Sequence, residues 1–206
     1  RGLLGEPGQL ALRGELARGE RFGPRIVIAG PSLNGNSVRD PDHARELVAQ
    51  FASDGYDLLK IHPGLDIPRF DAIVETARRH DLPVVGHVPE AVGLLHALER
   101  RMDGIEHLDD YVRTLVPDGH PARTASPGWF GVLQAEVADP GRIPVLVEAT
   151  RAAGSAMSPT ETLMVSLLGN EDTDALLARP EMAYMAPATL AQWRQGRANL
   201  RAAPGF

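Results

Sequence analysis

The feature that most constrains the fold is a regular alternation of short apolar runs with amphipathic helical segments. Each run is seven to ten residues long, and several of them contain a closing proline or glycine. The five runs read RIVIAGP at 25 to 31, YDLLKIHP at 56 to 63, LPVVGHVP at 82 to 89, MDGIEHLDDY at 102 to 111 and SAMSPTETLM at 155 to 164. Strands that alternate with helices at this spacing indicate βαβ units and a parallel sheet.

The helical segments between these runs carry their own start and stop signals. In DPDHARELVAQFASDG, Asp40 can cap the helix, Pro41 suits the first helical position and Gly55 can end it. The segment IPRFDAIVETARRHD has a clear apolar stripe at helical spacing, and EAVGLLHALERR and GRIPVLVEATRAAG also read as helices. The region from 112 to 140 shows no periodicity.

Two architectures contain such a sheet: a doubly wound sheet and a (β/α)8 barrel. No G-x-G-x-x-G and no G-x-x-x-x-G-K-[ST] motif follows a strand, so the nucleotide-binding form of the doubly wound fold lacks its signature. Lys60, His87 and His107 instead fall at or near the C-terminal ends of three predicted strands, where barrel enzymes place their chemistry. We therefore predict an α/β fold, a partial TIM-type (β/α)8 barrel that occupies residues 1 to 206 as a single incomplete domain.

Composition narrows the possible partners and chemistries. The formal charge of -6 over 206 residues gives no basic footprint for nucleic acid or an anionic membrane, and no apolar run is long enough to cross a bilayer. There is no cysteine, which excludes disulfides, thiolate ligands and a cysteine nucleophile. We expect a small-molecule substrate, no nucleic acid and no membrane, and a metal ion, if there is one, held by nitrogen and oxygen ligands.

Lys60 lies inside a predicted buried strand, where an ammonium needs a partner or a chemical role. Taken singly, Lys60 can face solvent, and either histidine can be a hydrogen-bonded structural residue. His62 follows Lys60 by two residues and shares its side of the strand, so it is a further candidate. His43, His80, His96 and His120 fall on helices or in loops, where we expect solvated side chains.

The segments GYDLLKIHPGL, PVVGHVP and GIEHLDDY resemble the middle strands of the metal-dependent amidohydrolase superfamily, in particular its imidazolonepropionase-like and prolidase-like branch. The resemblance implies that Lys60 is carboxylated and bridges two divalent metal ions, with zinc expected first, and that His87 and His107 are metal ligands. It also implies that His62 and Tyr111 lie near the substrate. A metal-activated water would then hydrolyse an amide, lactam, peptide or ester bond.

The sequence also departs from that family. No H-x-H occurs, and no strand with the family's last aspartate follows SPTETLM, so we expect strands three to seven of a barrel in a chain that is inactive or nearly so alone. The chain opens RGLLGEP without a methionine, which leaves the localisation open. The outer strands of such an arc are unpaired on one side, and homo-oligomers through these edges are expected.

Two other classes of function remain open from the sequence. A desolvated lysine at a strand end is also typical of a barrel aldolase, in which Lys60 would form a Schiff base. A non-catalytic structural or interaction module would keep the fold without its chemistry. Glu106, Asp109 and Asp110 flank His107, and one of them can orient a metal ligand, although solvated loop carboxylates are the more ordinary interpretation.

Overall fold

A computed structural model describes residues 5 to 202, apart from the side chains of Pro7 and Trp129. Its centre is a parallel sheet of four strands in the order β1-β2-β3-β4. The strands are β1 Leu59–Ile61, β2 Val84–Gly86, β3 Gly104–Glu106 and β4 Ala156–Ser158. A parallel sheet built from sequential βα units confirms the predicted α/β class.

Helices connect the strands and cover one face of the sheet. The α-helices up to β4 are α1 Pro7–Ala17, α2 Pro41–Asp54, α3 Ile67–Arg79, α4 Leu94–Glu99, α5 Tyr111–Leu115 and α6 Ile143–Ala153. Between α5 and α6 lie 3-10 turns at Pro121–Arg123, Trp129–Val137 and Pro140–Arg142. The start of α2 is as predicted, because the Asp40 side chain accepts from the His43 backbone N–H at 2.8 Å, and Gly55 ends the helix with φ 84°.

The register of the strands divides the sheet into two chemically different faces. Ile61 pairs with Gly86 and Gly86 pairs with Ile105, so these positions share one face and Leu59 lies on it as well. This outer face packs against the helices in the main hydrophobic cluster. Lys60 pairs with Val85 on the opposite, inner face.

The first predicted strand differs from the expectation. Within the described residues, the segment 25 to 31 forms no strand element, and only the isolated parallel bridges Ala29↔Leu58 and Leu33↔Ile61 tie this region to β1. Hydrogen bonds do run alongside β1, including Gly30 N–H to the Leu58 carbonyl at 2.9 Å. The ladder is interrupted because the chain advances four residues from Ala29 to Leu33 but three from Leu58 to Ile61, which leaves one extra residue between the two bridges.

The chain divides into two compact units, with the boundary between Pro159 and Thr160. The second unit is helical, with α7 Glu161–Leu168, α8 Thr173–Leu177, a 3-10 turn Pro180–Tyr184 and α9 Pro187–Arg201. In it, buried Arg197 donates to the backbone carbonyl of Glu171 at 2.6 Å. The single domain over residues 1 to 206 stays a prediction.

None of the helices in the described part of the chain combines the length and the apolar character needed to cross a membrane.

Candidate functional site

The C-terminal edge of the sheet gathers most of the side chains that the sequence singles out. Lys60 is the middle residue of β1, and His62 follows that strand directly. His87 follows β2, and Glu106 and His107 end and follow β3. Because the strands are parallel, their carboxyl ends meet at one edge, and residues from three strands come together there.

Lys60 is buried and has an ionic partner. Its side chain is 3% exposed, and its ammonium forms an ion pair with the Glu106 carboxylate, whose side chain is 10% exposed. The two residues lie on the same face, since Lys60 pairs with Val85, Val85 pairs with Gly104, and Glu106 is two residues beyond Gly104. In this structure the buried strand tolerates the lysine because a carboxylate neutralises it.

Three imidazole rings lie in a row along this edge. The ring centroids of His62 and His87 are 5.2 Å apart, and those of His87 and His107 are 4.8 Å apart. The row continues to Phe130, whose ring centroid is 5.2 Å from that of His107. His107 also approaches the buried pair, with its Nε2 3.7 Å from Glu106 Oε2.

The hydrogen bond of His87 fixes how that ring is presented. Its Nδ1 lies 2.6 Å from Asp109 Oδ2, and both side chains are mostly buried. A carboxylate on one ring nitrogen orients the imidazole and directs the other nitrogen, Nε2, to a ligand. Metal-binding histidines commonly have such a hydrogen-bond partner on the ring nitrogen that does not bind the metal ion.

A separate network orients the ring of His62. The Asn34 Oδ1 accepts backbone N–H groups of Asn36 and Ser37, so its Nδ2 donates to Ser32 Oγ at 2.8 Å. Ser32 Oγ in turn lies 2.8 Å from His62 Nδ1, and this hydrogen bond, in which either atom can be the donor, directs His62 Nε2 away from Ser32.

The surroundings favour the neutral form of His62 and His107 and the ionised form of Glu106. Burial lowers the pKa of both His62 and His107, and the neighbouring His87 lowers it further. Burial opposes ionisation of Glu106, but the hydrogen bond and the charge of Lys60 outweigh it, so the pKa of Glu106 lies below its ordinary value. Neutral imidazoles are the form that binds a metal ion.

The backbone is strained where the site is built. His107, Leu108 and Asp110 have φ of 60°, 56° and 64°, and Phe130 has φ 56°. Non-glycine residues in this left-handed region cost roughly 1–3 kcal/mol each and cluster at functional sites. The turn after β3 thus holds His107 in a conformation that the local sequence does not favour.

Two of the sequence expectations about carboxylates and Tyr111 need comment. The interpretation of Glu106, Asp109 and Asp110 as solvated carboxylates is wrong, because their side chains are 10%, 16% and 10% exposed and each has a bonded partner. Tyr111 is not brought into the histidine row. Its hydroxyl lies 2.6 Å from Thr150 Oγ1 on α6, and its role near a substrate stays a prediction.

Sequence reasoning missed Phe130 as a member of this site. It lies in the aperiodic region between α5 and α6, and the only local signal is an aromatic residue flanked by Gly128 and Gly131 in the string GWFG. Glycines on both sides of aromatic residues are compatible with a sharply turned loop. Nothing in the string shows that the loop returns to β3.

The residues at this edge fit a divalent metal ion in part. His87 and His107 offer neighbouring imidazoles, one of them oriented by a carboxylate, which suits zinc or a similar ion. Lys60 as an ammonium has no lone pair to offer. Across residues 5 to 202, no group of three or more histidine and acidic side chains is arranged to hold a metal ion.

The chain is similar in fold to solved structures of one class of protein. These structures belong to the metal-dependent amidohydrolase superfamily. This confirms the resemblance and the partial-barrel fold predicted from the sequence.

One of these structures is bottromycin amidohydrolase, with a TM-score of 0.67 and 25% identity over 98% of this chain and 44% of that chain. Another is a Xaa-Pro dipeptidase with methionine bound in its active site, with a TM-score of 0.52 and 18% identity over 96% of this chain and 49% of that chain. At 18% identity the second likeness shows the fold alone. The chain spans a little under half the length of both structures. No protein-family model and no curated protein matches the sequence.

Proposed function

We propose that this chain contributes the metal-binding edge of a hydrolase that cleaves amide bonds in small molecules. The observation that carries the proposal is the convergence of His62, His87 and His107 beside the buried Lys60–Glu106 pair at the carboxyl edge of a parallel sheet. The resemblance to a structure named as an amidohydrolase supports the amide bond as the target.

His87 and His107 would hold a divalent ion, with zinc as the first candidate. A third, oxygen ligand would come from the Lys60–Glu106 pair: a carbamate on Lys60, as the family resemblance implies, or Glu106 itself, which already lies near His107. When bound, such an ion activates a water molecule and polarises the substrate carbonyl.

The remaining side chains orient the metal ligands and contact the substrate. Asp109 holds the His87 ring through Nδ1, so that His87 keeps one orientation during turnover. His62, oriented by Ser32 through Nδ1, would form a hydrogen bond with the substrate through Nε2 at the same edge. Phe130 covers one side of His107 and limits the access of bulk water to that ring.

The aldolase alternative has less support from these contacts. A Schiff base requires a neutral amine that can reach a carbonyl carbon. Lys60 is 3% exposed and its ammonium is committed to Glu106. Borohydride trapping in the presence of a carbonyl substrate would reveal a Schiff base on Lys60, and we expect none.

Metal binding by the purified 206-residue chain tests the proposal. Titration with Co²⁺, followed by visible absorption, should show binding that is lost in His87→Ala and His107→Ala and retained in His80→Ala, a change of an exposed histidine on α3's C-terminal cap. Mass spectrometry in bicarbonate with and without metal separates a carbamate on Lys60 from ligation by Glu106.

Two results would contradict the proposal. Binding that His87→Ala and His107→Ala leave unchanged would remove the metal assignment. A borohydride-stable adduct on Lys60 in the presence of a carbonyl substrate would favour the aldolase instead.

A further inference from the structure

A small cavity of about 210 Å³ opens directly beside His87. Its apolar wall is formed by Pro63, Val88, Val112 and Phe130. Pockets that hold a whole drug-sized ligand usually measure about 300–1,000 Å³, so this one has room for a single side chain or ring of a larger molecule.

The loop that carries Phe130 is built to close this cavity. Gly128 and Gly131 have φ of 65° and 83°, on either side of the strained Phe130. A Cβ on Gly131 would meet Val112 Cβ at 2.6 Å, so only glycine allows the loop to approach α5 this closely. Buried Gln134 fastens the loop by donating from Nε2 to the Ala122 carbonyl at 2.6 Å.

The polar residues around the cavity are paired with one another. Asp109 is bonded to His87 at 2.6 Å, and Asp110 accepts the Leu94 N–H at 2.8 Å. Arg113 forms ion pairs with Asp110 and, at 3.1 Å, with Glu90. An apolar occupant would leave all these bonds in place, whereas a polar one would have to compete for them.

The charge at the cavity disfavours an anionic occupant. Three carboxylates, from Glu90, Asp109 and Asp110, line it together with the guanidinium of Arg113. The formal charges of these four side chains sum to three negative and one positive, or -2. A carboxylate entering this space would meet repulsion and would have to give up its hydration.

We propose that this cavity is the specificity pocket for an uncharged, compact apolar side chain next to the scissile amide bond, and that Phe130 is a specificity-determining residue. The inference rests on the proposed function, because it takes the His87 edge as the place of reaction. The Phe130 ring faces both His107 and the cavity. A substrate side chain that packs against this ring in the cavity would therefore place the neighbouring scissile amide bond beside His107.

Methyl NMR on the 206-residue chain tests the pocket without any need for turnover. N-acetyl-L-valinamide is the apolar probe, and N-acetyl-L-aspartic acid α-amide is the anionic probe of similar size. We expect the first to shift the methyl signals of Val88 and Val112, and the second to leave them unchanged. The methyls of Val145, which is 69% exposed on α6, serve as the internal control and should not move.

Two variants make the test specific. Phe130→Ala removes one wall of the cavity. It should weaken binding of the apolar probe by at least about tenfold, as the loss of apolar contact in a specificity pocket does. Val112→Phe fills the cavity and should abolish binding, while unchanged signals from the sheet's outer face show that the fold is intact. Equal shifts from both probes, or binding that neither variant affects, would overturn the pocket.

The same sample separates this inference from the proposed function. If the apolar probe binds but Co²⁺ does not bind at His87 and His107, the binding pocket is supported and the proposed hydrolase function is contradicted. If Co²⁺ binds and the probe does not, the metal site is supported and the specificity pocket is contradicted.

Discussion

The buried Lys60–Glu106 pair allows a quantitative prediction about stability. Glu106→Gln would leave the Lys60 ammonium buried without a counter-charge, and breaking a buried pair in this way costs about 3–5 kcal/mol in the free energy of unfolding.

The reciprocal change, Lys60→Met, should lower the free energy of unfolding by a slightly smaller amount. Lys60→Met would leave the Glu106 carboxylate buried, and Glu106 can escape by taking up a proton. From an ordinary pKa near 4.3, this costs about 4 kcal/mol at pH 7. The double variant Lys60→Met with Glu106→Leu removes both charges, and we expect it to be close to the wild type or more stable.

Urea unfolding followed by circular dichroism measures these differences. A loss of about 3 kcal/mol lowers the midpoint by roughly 1–3 M when the slope is about 1–3 kcal/mol per molar urea. The matched control is Glu75→Gln, which breaks the pair with Arg100, where the Glu75 side chain is 46% exposed and the effect should stay below about 1 kcal/mol. The reasoning is refuted if Glu106→Gln lowers the free energy of unfolding no more than this control does. It is also refuted if the double variant lowers that free energy by as much as the two single variants together.

Three further predictions follow from the same contacts. Asp109→Asn should weaken Co²⁺ binding by roughly 10- to 100-fold through misorientation of His87, measured by the visible titration; unchanged affinity would contradict this positioning role. The pKa of Glu106 is lowered in the folded chain, so its contribution to stability is present above its unfolded pKa, near 4.3, and is lost as the pH falls through the lower folded value. The urea midpoints of wild type and Glu106→Gln should therefore converge in acid, and a constant gap would count against this assignment. Ile61→Ala, on the outer face, should cost about 2–5 kcal/mol, whereas its chain neighbour His62→Ala, on the inner face, should cost about 1 kcal/mol in the same assay; the reverse order would show that the faces are misassigned.

The sequence predicted the fold class because the signals are local and repeated. Each βα unit carries its own apolar strand, capped helix and closing glycine or proline, and Asp40 and Gly55 act as predicted. The first strand was predicted from its apolar residues alone. Pairing depends on an equal step along both strands, which the extra residue between Ala29 and Leu33 interrupts, and the apolar pattern does not report this.

The site was predictable only in part for a different reason. Residues that end neighbouring strands meet whatever the details of the register, so the positions of Lys60, His87 and His107 could be inferred. The pairing of Lys60 with Glu106 depends on a register across three strands. The bond from Asp109 to His87, rather than to His107, depends on the left-handed turn after β3, which no propensity favours.

The two faces of the sheet explain how one short strand carries both stability and chemistry. In β1, Leu59 and Ile61 are fully buried against the helices, while Lys60 points to the inner face. The outer face carries the main hydrophobic cluster, whereas the inner face carries the small cluster of Ala29, Leu58 and Val85. The inner face can therefore carry a buried ion pair and, beside it, a row of histidines, and polar groups of this kind are costly in an ordinary core. Since successive side chains of a strand alternate between the faces, a single substitution on β1 changes either the core or the candidate site, and seldom both.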